Sequence, residues 1–251
     1  MAYELSNKLV IGVASSAMFD LSESDKVFRT KGEEEYRKYQ SSNINEPLGK
    51  GVSFSFVKRL LSLNNLSDKP DTDPLVEVIL LSRNDPDTGL RVMNSIEHHN
   101  LSISRAIFMQ GKSPYEYIPA LSISLFLSGS SSDVREAIGM GYPAGHVMES
   151  TIIDEDDDDL RIAFDFDGVL ADDESEAVYQ NRLRVSVVTA RNAPSHERAL
   201  NTLKEWGVMA NDAFFLGGVD KGLILGVLKP HIFFDDQSGH LSSTSSVAPS
   251  V

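Results

Sequence analysis

The chain has 251 residues, of which 41% are hydrophobic and 24% are charged, so it can bury a full core as one large domain or two small ones. Its formal net charge of −14 argues against non-specific binding to nucleic acid or to an anionic membrane. It contains no cysteine, which excludes disulfides and thiolate metal sites, and no apolar run approaches the roughly 20 residues that a membrane helix needs.

Short apolar runs predict buried strands that alternate with helical patterns along the chain. The predicted strands cover residues 8–14, 76–81, 106–109, 124–127, 161–167, 184–189, 213–216 and 231–234. Helical patterns cover residues 54–63, 89–99 and 195–206, with further helices in the charged stretch that ends at Gln40 and in the region 130–153. This alternation indicates βαβ units arranged around parallel sheets.

A run of acidic residues, Asp154-Glu-Asp-Asp-Asp-Asp159, divides the chain. Adjacent like charges are typical of a solvated connection, so we predict a linker at residues 154–160 between two halves at 1–153 and 161–251. The serine-rich stretch 238–251 is predicted to be a partly mobile tail. The amino end lacks the basic start and apolar run of a signal peptide, and together with the absence of cysteine this leads us to expect a cytoplasmic protein.

The two halves repeat several short sequence patterns in the same order. Residues 23–28 match residues 174–179 at an offset of 151. Residues 93–96, 107–109 and 125–127 match residues 200–203, 214–216 and 232–234 at a constant offset of 107. We therefore predict an internal duplication, and an α/β fold with two related Rossmann-like halves, each built on a parallel sheet.

The second half carries polar residues at the ends of its predicted strands. Asp165 and Asp167 lie where an apolar strand ends, and period-two geometry sends both to the same side. Carboxylates this close repel each other and need a cation to stay ionised together, for which Mg²⁺ is the usual choice. Thr189, Lys221 and the pair Asp235-Asp236 follow at or just beyond other strand ends, where open α/β sheets bind ligands.

These six positions have no chemical counterpart in the first half. At the offsets of the duplication they correspond, in order, to Ala14, Ser16, Leu81, Pro114, Ser128 and Gly129. Residues that are needed only for packing tend to recur in both copies. The six residues of the second half are therefore interpreted as functional.

The four polar blocks of the second half resemble, in order and spacing, the four motifs of the haloacid dehalogenase-like hydrolases. A closer resemblance covers nearly the whole chain and is to the cytosolic type I 5′-nucleotidases. It rests on the blocks Val13-Ala-Ser-Ser-Ala-Met-Phe-Asp20, Asn45-Glu-Pro47, Gly111-Lys-Ser-Pro114, Asp172-Asp-Glu-Ser-Glu176, Val188-Thr-Ala-Arg191 and Pro230-His-Ile-Phe-Phe-Asp-Asp-Gln237.

The resemblance implies hydrolysis of nucleoside 5′-monophosphates in two steps. Asp165 is the implied nucleophile, which forms an aspartyl-phosphate, and Asp167 is the implied general acid and base. Thr189 and the amide of Ala190 are implied to hold phosphate oxygens, and Lys221 to offset charge in the transition state.

The same resemblance implies a Mg²⁺ cofactor. Its ligands would be Asp165, the backbone carbonyl of Asp167, and either Asp235 or Asp236. The remaining substrate-binding candidate is Arg191, which either contacts the substrate or caps the helix that follows.

Between the matched blocks the first half has 43 residues that the second half lacks, so the cap region of the second half is short. This leaves open a second hypothesis, in which the chain binds a nucleotide or phosphate without turnover. A third is a phosphatase for another small phosphomonoester such as a sugar phosphate. The first half is expected to help cover a small-molecule substrate through Asn84, Arg91 and Asn94, and a homo-oligomer is also left open.

Overall fold

The computed structural model describes residues 3–70, 72–84, 86–150, 159–165, 183–190, 201–203, 205–207 and 210–251. The chain divides into two units, Met1–Val147 and Met148–Val251. Most of the predicted acidic linker, and the short helix expected from Glu174 to Arg182, lie outside the described residues.

The first unit is built on parallel strands whose residues are almost continuously buried. Its strands are β1 (Leu9–Ala14), β4 (Val76–Ser82), β5 (Arg105–Phe108), β6 (Leu125–Ser128) and β7 (Ala144–His146), with the short strands β2 (Phe19–Asp20) and β3 (Gly49–Lys50) paired antiparallel beside them. The five-stranded sheet has the order β5-β4-β1-β6-β7. All seven residues of β4 are buried, as expected for a central strand of a parallel sheet covered on both faces.

Six helices connect these strands. They are α1 (Ser15–Met18), α2 (Ser22–Lys31), α3 (Glu33–Ser42), α4 (Phe54–Ser62), α5 (Pro86–His98) and α6 (Ser131–Gly139). The charged stretch before Gln40 was predicted as one helix and is two, because Gly32 takes a φ of 83°, which ends α2. Among the described residues, no helix has both the length and the apolar character needed to cross a membrane.

The second unit has a smaller sheet of the same kind. Its elements are β8 (Leu160–Phe164), β9 (Leu183–Thr189), β10 (Asp212–Phe215), α7 (Lys221–Leu228), β11 (Ile232–Phe234) and α8 (Ser238–Thr244). The four strands are parallel in the order β10-β9-β8-β11. Ala163, Val188, Leu225 and Phe233 form its core. Residues 201–203 are helical and Gly207 takes a φ of 68°, which agrees with the helix end predicted there.

The predicted α/β class with parallel sheets is confirmed, and each of the eight predicted strands overlaps an observed one. The strands β2, β3 and β7 were not predicted, because two or three residues are too few to show a period-two pattern.

The two sheets share one strand order and nearly one spacing. Twenty-two residues separate β4 from β5 (83–104) and β9 from β10 (190–211). Sixteen residues separate β5 from β6 (109–124) and β10 from β11 (216–231). The first connection differs, with 61 residues between β1 and β4 (15–75) and only 18 between β8 and β9 (165–182).

The serine-rich stretch after β11 is packed against the second unit. It forms α8, and Thr244, Ala248 and Ser250 are fully buried. Ser250 bridges Phe233 in parallel, and the amide of Val251 donates to the carbonyl of Phe233 at 2.8 Å. This region is therefore an ordered part of the sheet's edge, and not the mobile tail that its serine content suggests.

Substitution of Gly51 is expected to destabilise the first unit. A Cβ there would lie 2.7 Å from the amide nitrogen of Phe19 and 2.8 Å from the carbonyl oxygen of Ala17, so the β2–β3 pair would have to move. We expect Gly51→Ala to cost about 1–3 kcal/mol of unfolding free energy in urea titrations. Gly139→Ala in α6 is the matched control, because a Cβ there meets no described heavy atom within 4 Å beyond its own helix and chain neighbours. Equal stability of the two variants would contradict this expectation.

Candidate functional site

Three neighbouring strands of the second unit end at one edge, and each end carries a polar side chain. Asp165 follows β8 directly, Thr189 is the last residue of β9, and Asp235 follows β11 directly. Because β8 lies between β9 and β11 in a parallel sheet, these three residues share the carboxyl edge. All three are buried.

Lys221 connects two of these strand ends. Its Nζ lies 2.7 Å from Oδ2 of Asp165 and 2.7 Å from Oδ2 of Asp235, and the three side chains are at most 4% exposed. Removing such charges from water is costly, and it is tolerated here because one cation faces two carboxylates. The triad as a whole is negative.

The start of α7 explains how Lys221 reaches the edge. Asp220 is the N-cap, and its side chain accepts a hydrogen bond from the amide of Gly222 at 2.8 Å. Lys221 is therefore the first helical residue. Side chains in a helix tilt toward its N-terminus, which directs this ammonium back toward the ends of the strands.

The carboxylate of Asp235 is held from several sides. Its Oδ1 accepts a hydrogen bond from the amide of Gln237 at 2.9 Å, and its Oδ2 lies 3.2 Å from Nδ1 of His240. The amide of Asp235 donates to the carbonyl of Val251 at 3.0 Å. The orientation of this carboxylate is thereby fixed before any ligand arrives.

His240 is the residue of this site that sequence reasoning missed. Its proximity to Asp235 depends on a strand, a turn and the first residues of α8, and no helix or strand periodicity marks such a contact. The five-residue spacing from Asp235 was the available signal.

Asp165, Asp235 and His240 are the described residues that could together hold a metal ion. One ligand atom from each lies within 4.8 Å of the others. Carboxylate oxygens suit Mg²⁺, and the imidazole adds a nitrogen ligand. The donor set therefore fits a divalent cation. Asp236 is exposed and does not belong to this described cluster, so of the two adjacent aspartates Asp235 is the one that faces the site.

The backbone after Thr189 holds the neighbouring loop. The carbonyl of Thr189 accepts from the amide of Leu216 at 2.9 Å, and the carbonyl of Ala190 accepts from the amide of Gly218 at 3.1 Å. Gly218 takes a φ of 91°, which allows the turn before α7. Ala190 is exposed. The candidates Asp167 and Arg191 lie outside the described residues.

The first unit has different chemistry at the matching edge. Strand register pairs Ser82 with Phe108 and Thr189 with Phe215, so Thr189 corresponds to Ser82. The predicted counterpart, Leu81, was wrong by one residue, because the connections after β4 and β9 have equal length and no extra loop residue exists. A hydroxyl is therefore shared by both units at this position.

Two of the substrate contacts expected from the first unit have structural roles. Arg91 is buried, and it donates to the carbonyl of Glu46 at 2.9 Å and to Oε1 of Gln40 at 3.1 Å. Asn94 donates to the carbonyl of Ile44 at 3.0 Å. Both side chains fix the loop that follows α3, so these two expectations are not supported.

A family model described as 5′-nucleotidase matches residues 1–182 and 180–251. The chain belongs to the 5′-nucleotidase family. The resemblance drawn from the sequence is thereby confirmed. The two matched segments of this 5′-nucleotidase family member meet at residues 180–182, inside the short connection between β8 and β9.

The chain is also similar to human "Cytosolic 5′-nucleotidase 1B", with 31% identity over 288 residues. That alignment covers 94% of this chain and 47% of the human protein, so the chain spans about half the length of the curated relative. The 288 aligned residues exceed the 251 residues of the chain, which means that part of the aligned segment of the relative has no counterpart here.

Proposed function

We propose that this chain is a Mg²⁺-dependent phosphomonoesterase that hydrolyses nucleoside 5′-monophosphates to nucleoside and phosphate. The observation that carries the proposal is the buried Lys221 between Asp165 and Asp235 at a sheet edge of a 5′-nucleotidase family member. A buried cation beside a carboxylate keeps that carboxylate ionised and available as a nucleophile.

In this mechanism Asp165 attacks phosphorus and forms an aspartyl-phosphate while the nucleoside oxygen leaves. Lys221 stays beside Asp165 and offsets the charge that grows on the phosphoryl oxygens. Thr189 and the amide of Ala190 hold these oxygens, and Arg191 is the further candidate for substrate contact. Asp167 would donate the proton to the leaving oxygen and then accept one from water.

The residues that would hold Mg²⁺ are Asp165 and Asp235, with the backbone carbonyl of Asp167. When bound, Mg²⁺ would neutralise charge on the phosphate and on the two carboxylates. Asp235 is suited to this role because its carboxylate is already fixed by Gln237 and His240.

Mg²⁺ is expected to stabilise the wild-type protein against heat by about 3 kcal/mol at a hundredfold excess over its Kd. Asp235→Asn should remove most of this gain, because the substitution takes a charged ligand from the cluster. Asp236→Asn should retain it, since that side chain is exposed. Melting curves with and without Mg²⁺ measure both variants. Loss of the gain in Asp236→Asn with retention in Asp235→Asn would reverse this assignment of the ligands.

We infer that the two units arose by duplication and that only the second retained the catalytic residues. The common strand order and the equal connections of 22 and 16 residues support this. The first unit would then help to cover the substrate. By analogy with the printed name of the human relative, we propose a cytosolic location, with a small-molecule nucleotide as the partner and a homo-oligomer left open.

A second candidate function is nucleotide or phosphate binding without turnover. The observation that favours it is the 18-residue connection after β8, which replaces 61 residues in the first unit and coincides with the break in the family match. A shorter connection offers less to exclude water from the phosphate. A phosphatase for sugar phosphates is the related alternative, because the proposed residues act on phosphorus and leave the alcohol open.

Phosphate release from a panel of nucleoside monophosphates and sugar phosphates, with and without Mg²⁺, tests these proposals. The proposed function requires Mg²⁺-dependent release that is fastest with a nucleoside 5′-monophosphate. Binding without release would instead support the non-catalytic function, and faster release from sugar phosphates would change the substrate class.

A further inference from the structure

The carboxyl edges of the two units match contact by contact. In the first unit, Ser128 follows the buried part of β6, and its Oγ lies 3.2 Å from Oδ2 of Asp133. In the second unit, Oδ2 of Asp235 lies 3.2 Å from Nδ1 of His240. Both pairs are separated by the offset of 107 that relates β6 to β11. The first unit therefore shows which positions are neighbours at this corner of the sheet.

An arginine fills this corner in the first unit. The Nε of Arg83 lies 3.2 Å from Oδ1 of Asp133 and 3.4 Å from the hydroxyl of Tyr115, and its Nη2 donates to the carboxylate of Glu136. The guanidinium also lies 5.4 Å from the centre of the Tyr115 ring. One cation, one phenol and two carboxylates thus occupy the space beside the ends of β4 and β6.

All four members of this cluster differ in the second unit. The matching positions, again at the offset of 107, are Ala190, Gly222, His240 and Ser243. The guanidinium and the phenol are replaced by a methyl group and a hydrogen, and both carboxylates are replaced by groups without negative charge. A contact of the second unit supports the match, since Ser243 lies beside Asp220 just as Glu136 lies beside the matching Ser113.

The changed corner lies beside the proposed catalytic residues. Ala190 follows Thr189 directly, and His240 contacts Asp235. A carboxylate at position 240 would repel an incoming phosphate, and a long side chain at position 190 would occupy its place. Both obstacles are present in the first unit, in the form of Arg83 and Asp133.

We propose that Ala190 and His240 keep this corner open to the phosphate group of the substrate, and that the Arg83–Asp133 ion pair closes the matching corner of the first unit. The two positions thereby determine which of the two units accepts an anion. This inference rests on the proposed function, because it assumes that phosphate binds at the edge formed by Asp165, Thr189 and Lys221.

The test rebuilds the ion pair of the first unit in the second, with the double variant Ala190→Arg/His240→Asp. Isothermal titration with inorganic phosphate in the presence of Mg²⁺ measures the affinity. We expect at least a tenfold loss, because the added ion pair fills the corner without changing the sum of the two charges. The control is Val227→Arg/Ser246→Asp, which adds the same charges at two positions away from the corner and should bind phosphate within twofold of the wild type.

A second measurement covers the case in which the double variant does not fold. The chain contains no cysteine, so Ala190→Cys introduces a single thiol with little change in size. A methanethiosulfonate reagent should label this thiol, and saturating inorganic phosphate should slow the labelling at least fivefold. Val227→Cys, at a position that is 84% exposed, should be labelled at a rate that phosphate does not change.

The outcomes separate the inference from the function on which it rests. If the wild type binds phosphate and the folded double variant binds it equally well, the inference is wrong and the proposed function stands. If phosphate does not slow the labelling of the Ala190→Cys variant, in a protein that binds phosphate, the inference is also overturned. A wild-type protein that binds no phosphate overturns the proposed function, and the inference with it.

Discussion

Asp165→Asn is expected to reduce phosphate release on the order of 10⁴-fold or more, because the amide oxygen is a poor nucleophile and no other described carboxylate occupies its position at the end of β8. The substitution is nearly isosteric and removes one negative charge from a triad with a net charge of −1. We therefore expect a folded variant with a melting temperature close to that of the wild type. Steady-state phosphate release in the presence of Mg²⁺ measures the effect.

The matched control is Asp212→Asn. Asp212 begins β10 at the opposite edge of the sheet, where its Oδ2 lies 2.7 Å from Nε of Arg184. Loss of such a partly exposed ion pair should cost at most about 1 kcal/mol and should leave phosphate release intact. Release by Asp165→Asn at more than a tenth of the wild-type rate would exclude this residue as the nucleophile.

Lys221→Met is expected to lower both phosphate release and stability. It leaves two buried carboxylates, Asp165 and Asp235, without the cation that now lies 2.7 Å from each. Breaking a buried pair by removing one partner costs about 3–5 kcal/mol. Methionine has a similar shape to the lysine stem, so the loss reports the charge more than the packing. Thermal or urea unfolding without added metal measures it.

Mg²⁺ should recover part of the stability of Lys221→Met, because a divalent cation can neutralise the same two carboxylates, but it should not restore phosphate release. Lys58→Met is the control, since Lys58 is an exposed residue of α4 in the first unit and its loss should change stability by less than about 0.5 kcal/mol. A Lys221→Met variant with wild-type stability and wild-type phosphate release would contradict the account of this site.

The sequence was sufficient to predict which strands exist and which polar residues end them. Parallel strands buried on both faces are nearly continuous apolar runs, and β1, β4 and β9 have this pattern in the printed sequence. Because the carboxyl ends of parallel strands meet at one edge, the sequence also brought Asp165, Thr189 and Asp235 together.

Other features depend on contacts that no local pattern records. The choice between Asp235 and Asp236 depends on which carboxylate turns inward after β11, and the structure shows that Asp235 is buried and Asp236 is exposed. The role of His240 depends on the turn into α8. The serine-rich end is ordered because its backbone pairs with Phe233, and backbone pairing is independent of side-chain polarity.

The offset between the two halves shows how small errors in alignment change a chemical interpretation. An assumed extra loop residue placed Thr189 opposite Leu81, where the first unit has no polar group. Strand pairing places it opposite Ser82, whose Oγ lies 3.1 Å from Oγ of Ser15. The two edges therefore share a hydroxyl, and they differ in the carboxylates, the lysine and the ion pair of Arg83.

Chemical trapping of the aspartyl-phosphate tests the central claim most directly. Wild-type protein turning over a nucleoside 5′-monophosphate with Mg²⁺ is quenched in acid, reduced with borohydride, which converts an aspartyl-phosphate to homoserine, and analysed by peptide mass spectrometry. The account predicts homoserine at position 165 when nucleotide is present and unmodified aspartate when it is left out. Phosphate release accompanied by an unmodified Asp165, or by modification of a different aspartate, would contradict it.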